Sequence, residues 1–90
     1  MKNLRVKIYG KVQGVFFRVF IKKEAEKIGL VGWIRNEKES TVIVEFEGEI
    51  DKLKELIRQC KKGSPASKVE KIDYEFSDEL QGYNSFKILH

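Results

Sequence analysis

The residues best suited to chemistry lie in one glycine-containing segment, GKVQGVFFR, which runs from 10 to 18. The apolar pattern predicts a strand before this segment and a helix after it, so its backbone N–H groups can converge at a helix N-terminus. Such a cradle binds anions, because unsatisfied donors and the helix dipole both favour negative charge. Most loops of this kind are plain connections, however, and the Gly-Lys-Ser/Thr ending of a nucleotide-binding P-loop is absent.

Arg18 lies at the predicted start of that helix. Its planar guanidinium would add a bidentate pair of donors to the same anion. A cation at a helix N-terminus opposes the helix dipole. This local misfit favours a functional interpretation of Arg18 over the alternative, which is an exposed charge without a role.

A second candidate, Asn36, follows Trp33-Ile34-Arg35 at the predicted end of another strand. Asparagine is a common turn residue whose side chain bonds its own backbone, and this is the structural interpretation. The functional interpretation is that the neutral amide, which both donates and accepts hydrogen bonds, positions a water molecule. The residues alone leave both interpretations open.

The spacing of apolar residues predicts the elements that must position these side chains. Leu4, Val6 and Ile8 alternate with polar residues and predict a strand with one buried face. Two helices, at 17–28 and 50–60, each have one apolar face and a glycine shortly after the last apolar residue. Strands are also predicted at 30–35 and 41–47, which form an antiparallel hairpin, at 69–76 and at 86–89.

The order βαββαβ predicts an α+β fold of the ferredoxin-like type, in which an antiparallel sheet carries two helices on one face. The sequence contains no linker or internal repeat, and 90 residues are the length of one domain, so 1–90 is predicted to be a single domain. This fold hosts many unrelated functions and does not decide the activity.

Composition excludes several classes of site. One cysteine, Cys60, and one histidine, His90, exclude an internal disulfide, a cysteine-based zinc site, a histidine-rich metal site and a Ser-His-Asp triad. No apolar stretch could span a membrane and the N-terminus has no apolar signal core, so we expect a cytoplasmic protein. Seven Lys or Arg residues and no acids stand between 1 and 23. This basic segment is either an anion-binding region or a solvated surface.

Three motifs resemble those of the acylphosphatase family: GKVQGVFFR at 10–18, GLVGWIRN at 29–36 and Gly63-Ser64-Pro65. The likeness extends from the first strand to Phe86-Lys87-Ile88. It implies an enzyme, working without metal or cofactor, that hydrolyses small acyl phosphates such as acetyl, carbamoyl or glyceroyl phosphates. The products implied are a carboxylate and inorganic phosphate.

The same resemblance implies roles for individual residues. Arg18 takes the family's phosphate-binding role, and Asn36 takes its water-orienting role. The backbone N–H groups of four consecutive residues complete the phosphate cradle, namely Gly14, Val15, Phe16 and Phe17.

One position departs from the family pattern, since Ser40 stands where the hairpin turn usually has glycine before Thr-Val. A turn that needs positive φ would then cost ~1 kcal/mol or more, unless another turn type is used. We also expect Glu45, Glu47 and Glu49 to lie on a solvated face, and His90 to have no role.

Two alternatives to the enzyme are open. A nucleic-acid-binding module would use the basic segment and an open sheet face, and a non-catalytic anion-binding module would keep the cradle and Arg18 without turnover. The combination of the glycine loop with Arg18 and Asn36 argues against nucleic acid. We therefore expect the partners to be a small acyl phosphate and inorganic phosphate, and not a nucleic acid. We also expect a monomer that binds no membrane.

Overall fold

The computed structural model describes residues 1–38 and 40–90. Its elements follow the predicted order. They are β1 (Lys2–Lys11), α1 (Phe17–Ile28), β2 (Val31–Asn36), β3 (Thr41–Gly48), α2 (Ile50–Lys62), β4 (Lys68–Ser77) and β5 (Phe86–Ile88). The main difference in bounds is that β1 continues through Gly10 and Lys11, which the sequence pattern assigned to the loop.

The strands form one sheet in the order β4-β1-β3-β2-β5. The first four pair antiparallel, as predicted, but β5 pairs parallel with β2, with Phe86 opposite Gly32 and Ile88 opposite Ile34. The expectation of a wholly antiparallel sheet is therefore wrong at this edge. The reason is that residues 78–85 carry the chain from the β4 edge to the β2 edge, where β5 enters in the direction of β2.

One hydrophobic core lies between the helices and one face of the sheet, which confirms the ferredoxin-like α+β fold. The side chains that alternate along β1 contribute Leu4, Val6 and Ile8, all fully buried. The helices contribute Phe17, Ile21, Ala25, Leu53, Leu56, Ile57 and Cys60. Within the described residues, no helix combines the length and apolarity that a membrane crossing requires.

Gly10 allows β1 and β4 to approach closely beside the candidate loop. The register between the two strands shifts between Tyr9 and Gly10, and Gly10 has φ 132°. A Cβ atom here would collide with the backbone oxygen of Lys68. The strand can therefore lead into the loop at this point only with glycine.

The prediction of a solvated acidic face is wrong for Glu45 and Glu47, although Glu49 is exposed. Only 7% of Glu45 and 2% of Glu47 are accessible to solvent. The amide Nδ2 of Asn3 lies between them and donates to both carboxylates, at 3.0 and 2.8 Å. Alternation along β3 correctly assigned the two side chains to the face opposite the helices, but it did not indicate that this face is covered.

The cover is the segment 78–85, which crosses the sheet between β4 and β5. The N–H groups of Gln81 and Gly82 donate to the carboxylate of Glu47, at 2.6 and 3.1 Å. The Tyr83 hydroxyl donates to Glu45 at 2.7 Å and accepts from the indole Nε1 of Trp33 at 2.9 Å. Burial alone would raise the pKa of Glu47, but these donors outweigh it and hold that pKa below its usual value.

Candidate functional site

The two predicted site segments lie at the same end of the sheet. Tyr9, near the end of β1, is opposite Thr41 at the start of β3, and Asn36 at the end of β2 is opposite Val42. The loop 12–16, which leads from β1 into α1, therefore starts at the sheet end where Asn36 is found. The antiparallel topology brings together residues that are about twenty positions apart in sequence.

The loop has a left-handed backbone at two positions, Gly14 with φ 71° and Phe16 with φ 58°. Glycine adopts this conformation at little cost, but a bulky residue such as Phe16 does so only with strain of about 1–3 kcal/mol. Phe16 is also the N-cap residue of α1, and no side chain caps the helix there. The N-terminal donors of α1 are thus left for another partner.

The predicted cradle residues have free donors. Among the described residues, the N–H groups of Gly14, Val15, Phe16 and Phe17 donate to no protein acceptor. The nearest backbone hydrogen bonds run from Val12 N to Gly10 O and from Phe20 N to Phe16 O, on either side of the group. Consecutive unpaired N–H groups at the positive end of a helix dipole form a site for an anion.

Arg18 lies in the first turn of α1, beside these donors, and is half-buried. Its Nη1 donates to the backbone oxygen of Leu89 at 3.3 Å. The N–H of Leu89 donates in turn to the oxygen of Ile34 at 2.8 Å, which fixes this segment beside β2. The contact orients the guanidinium while leaving its other N–H groups available to an anion.

A pocket of about 400 Å³ opens at this position. The loop and the start of α1 line it with Val12, Gly14, Phe16, Phe17, Arg18 and Val19. Ile88 and His90 line its other side. His90 was expected to have no role, and its place in the lining of this pocket was missed because the parallel position of β5 was not predicted.

Asn36 ends β2 and is half-buried, but it does not line this pocket. Since Ile34 is opposite Ile88 in the parallel register, Asn36 ends its strand at the level of His90. Its Oδ1 is buried and has no hydrogen-bond partner among the described residues. An acceptor buried without a partner is costly, so this atom has unused capacity for a water molecule or a ligand.

Ser40, in the segment after Asn36, has a backbone conformation that glycine adopts with less strain. Ser40 has φ 64°, which is a left-handed backbone at a residue that carries a side chain. Its backbone oxygen accepts from Gly10 N at 3.1 Å, and Thr41 N donates to Lys38 O at 3.0 Å. Ser40 therefore bears the strain of a side chain at positive φ.

Gln13 connects the loop to this turn, a role that the sequence analysis did not identify. Its side-chain Nε2 donates to the backbone oxygens of Lys38 and Thr41, the latter at 2.7 Å. The residue that precedes the cradle is thus fixed to the hairpin that carries Asn36. The only sequence signal was a polar, hydrogen-bonding side chain between Val12 and Gly14 in an otherwise apolar loop.

Comparisons with known proteins agree over this region. The sequence model of the acylphosphatase family matches residues 4–88. An acylphosphatase of Bacillus licheniformis is 42% identical over 88 residues, which are 98% of this chain and 98% of that protein. The crystal structure of an acylphosphatase from Bacillus subtilis has a TM-score of 0.97 and 38% identity, with 100% of both chains covered. An acylphosphatase structure from Coxiella burnetii has a TM-score of 0.92 and 32% identity, covering 98% of this chain and 92% of that one.

Proposed function

This chain belongs to the acylphosphatase family and is an enzyme of that family, and we propose that it hydrolyses small acyl phosphates to a carboxylate and inorganic phosphate. The observation that carries the proposal is the row of unbonded N–H groups at the start of α1, with Arg18 beside it. An acyl phosphate is an activated anhydride whose carboxylate leaves readily, so no strong general acid is required. The enzyme has to bind the phosphoryl oxygens and align a water molecule.

In the proposed complex, the phosphoryl oxygens accept hydrogen bonds from the N–H groups of Gly14, Val15, Phe16 and Phe17. The Arg18 guanidinium adds charge-assisted bonds to the same group. These donors are fixed before substrate arrives, so they stabilise the charge on the phosphoryl group in the transition state without further reorganisation. The carbonyl of Leu89, which holds Arg18 at 3.3 Å, supports this orientation.

Asn36 orients the attacking water. Asn36 lies outside the pocket lining and its Oδ1 is buried, so in the proposed complex the side chain turns toward the pocket, where Oδ1 accepts a hydrogen bond from the water whose oxygen attacks phosphorus opposite the acyl oxygen. The new P–O bond forms as the bond to the acyl oxygen breaks, and the carboxylate leaves with the electron pair. An amide is too weak a base to take the water's proton, so the proton passes to a phosphoryl oxygen and leaves with the inorganic phosphate.

The nucleic-acid alternative has less support. The sheet face opposite the helices carries basic side chains near Tyr9 and Trp33, but most of them pair with acids. These pairs are Arg5–Glu45 at 3.5 Å, Lys7–Glu37 at 3.1 Å and Lys71–Asp73 at 3.7 Å. A surface neutralised in this way lacks the excess positive charge that drives binding to a phosphate backbone.

We further propose that residues 1–90 act as one monomeric domain in the cytoplasm. The edge strand β4 supports the monomer, because Lys68, Glu70 and Lys71 place charges where a second sheet edge would pair. The single cysteine, Cys60, is buried and free, so the fold uses no internal disulfide, as is usual in a reducing compartment. Sedimentation of the purified protein tests the monomer.

The direct test is hydrolysis of benzoyl phosphate, followed by ultraviolet absorbance with EDTA present. We expect Arg18→Gln to lose both binding and turnover, and Asn36→Ala to lose mainly turnover, each by ~10²–10³-fold in rate. The matched control is Lys23→Gln, which removes one exposed positive charge from the same helix. It should change neither substrate binding nor turnover. If the folded wild-type protein binds phosphate but releases no carboxylate, the chain is a non-catalytic anion-binding module.

A further inference from the structure

We propose that Phe16, Val19 and Ile88 form an acyl-binding surface that selects substrates with an apolar, planar acyl group, such as an aroyl phosphate. This inference rests on the proposed function, because it assigns the part of the pocket that the phosphoryl group leaves free. It concerns side chains, whereas the phosphate cradle uses backbone N–H groups and Arg18.

The first argument is the exposure of Phe16. Its side chain is 84% exposed, so it adds almost nothing to the core. Its backbone is nevertheless held at φ 58°, a conformation that glycine or asparagine would adopt with less strain. A large ring at this position therefore gives the fold no evident advantage, and the benefit has to come from what the ring contacts in the pocket.

The second argument is the distribution of other exposed apolar side chains. Six large hydrophobic residues are exposed in the described part of the chain, and two of them, Phe16 and Val19, line this pocket. A third, Leu89, lies between the pocket-lining residues Ile88 and His90. Exposed apolar side chains that cluster at a pocket indicate a binding surface rather than chance scatter.

The third argument is the division of the pocket. The donors for the anion, Gly14 N–H and Arg18, contribute a polar part, whereas Phe16, Val19 and Ile88 are apolar. The volume of about 400 Å³ is within the range of small-molecule pockets and leaves room for more than a phosphoryl group. No carboxylate side chain lines it within the described residues, so the lining side chains add no negative charge that would repel an anionic substrate.

An aromatic acyl group can stack on the ring of Phe16 while its phosphoryl group remains in the cradle. Such ring pairs correspond to about a 2- to 10-fold gain in affinity beyond the area they bury. An acetyl group is too small to cover the ring and gains little. The surface is therefore expected to affect the preference between acyl groups rather than the chemistry at phosphorus.

The experiment compares an aromatic with a methyl ligand in binding and in turnover. Isothermal titration measures the Kd of two non-hydrolysable isosteres, 2-oxo-2-phenylethylphosphonate and 2-oxopropylphosphonate, in which CH2 replaces the bridging oxygen. In parallel, kcat/KM is measured for benzoyl and acetyl phosphate. We compare Phe16→Asn, which tolerates the left-handed backbone but removes the ring, with Phe16→Tyr, which keeps the ring.

We expect the wild-type protein to prefer the phenyl ligand, and Phe16→Asn to reduce that preference by about 2- to 10-fold while Phe16→Tyr retains it. Val19→Thr keeps the shape of the side chain but adds a hydroxyl, so it should also reduce the preference for the phenyl ligand. This variant replaces Phe16→Asn as the test if Phe16→Asn does not fold. Equal binding of both phosphonates, binding of neither, or a preference unaffected by Phe16→Asn and Val19→Thr would overturn the proposal. Selective binding without turnover would reject the proposed hydrolysis and keep the acyl-binding surface.

Discussion

Two residues other than glycine, Phe16 and Ser40, have a left-handed backbone in the described part of the chain, and both lie at the sheet end that holds the candidate site. Backbone strain of this kind persists only where the surrounding structure enforces it. At Phe16 the strain accompanies free N–H donors and an exposed ring. Ser40 does not line the candidate pocket, so its backbone strain is a destabilisation that a substitution can remove.

Ser40→Gly is expected to stabilise the protein. Removing the Cβ relieves ~1–2 kcal/mol of steric strain. The greater conformational freedom of glycine in the unfolded chain offsets ~0.5–1 kcal/mol of this stabilisation. The net increase in the free energy of unfolding should be several tenths of a kcal/mol, up to about 1 kcal/mol. Urea denaturation measures it as a higher midpoint at an unchanged slope.

Ser40→Ala is the control for this prediction, because it removes the hydroxyl and keeps the Cβ atom that causes the strain. We expect no gain in stability from it. A glycine variant less stable than the wild type, or an alanine variant that gains as much as glycine, would show that positive φ at this turn is not the source of the cost.

At the scale of elements, the β1–α1 loop and the β2–β3 hairpin are joined by one side chain. Gln13 donates to the backbone oxygens of Lys38 and Thr41, so the cradle and the strand that carries Asn36 are fixed relative to each other. Gln13→Leu leaves both oxygens without this donor and should lower the free energy of unfolding by ~1–2 kcal/mol, as measured by urea denaturation.

The matched control is Gln59→Leu in α2. Gln59 is also half-buried, but it donates at 3.0 Å to Glu55 within its own helix. Losing this contact should cost only ~0.2–0.5 kcal/mol. Equal effects of the two leucine variants would mean that Gln13 does not tie the elements together.

The elements themselves were predictable because their signals are local. Apolar residues three or four positions apart around Ile21 and Leu53 indicate helices, and alternation from Leu4 to Ile8 indicates a strand. The pairing of β5 was not predictable in this way. Its three residues, Phe86–Ile88, are too few to show a period, and their partner, Gly32–Ile34, is more than fifty positions away.

The parts of the candidate site were likewise predictable only where they depend on neighbouring residues in the sequence. Arg18 and the predicted cradle are consecutive in sequence, so one motif predicted both, and Gly14, Phe16, Phe17 and Arg18 line one pocket while Val15 packs against the core. The apolar side of that pocket includes Ile88, and its rim includes His90, which only the long-range position of β5 brings there. Asn36 was a candidate from its place at the end of a predicted strand, the resemblance implied its role, and no local rule could give its position relative to the pocket.

At the scale of the whole molecule, the segment 78–85 joins the two edges of the sheet and carries β5 to the pocket. It is held over the sheet by buried carboxylates, above all Glu47, which accepts from Asn3, Gln81 and Gly82. Alternation along β3 placed Glu47 on the correct face, but its burial depends on a segment more than thirty residues later in the chain. The fold thus depends on a charged group in a largely dry position, at the end of β3 away from the candidate site.

The stability of the protein should therefore fall in acid through Glu47. Its pKa in the folded state is below the ordinary value of 4.5. A lowered pKa means that the carboxylate contributes stability fully at pH values above 4.5, and that this contribution is lost as pH falls through the folded-state pKa. Protonation replaces an acceptor of three N–H donors with a neutral acid that binds them less well.

Glu47→Gln tests this contribution by urea denaturation across pH 7 to 3. The amide cannot accept the same set of donors, so the variant should be less stable by ~2 kcal/mol at neutral pH. The difference in the free energy of unfolding between the wild type and the variant should become smaller as pH falls, because the wild-type carboxylate is then protonated and neutral like the amide. Glu49→Gln, at the exposed end of the same acidic run, should differ little from the wild type at any pH. A gap for Glu47→Gln that stays constant with pH would mean that packing, and not charge, makes Glu47 important.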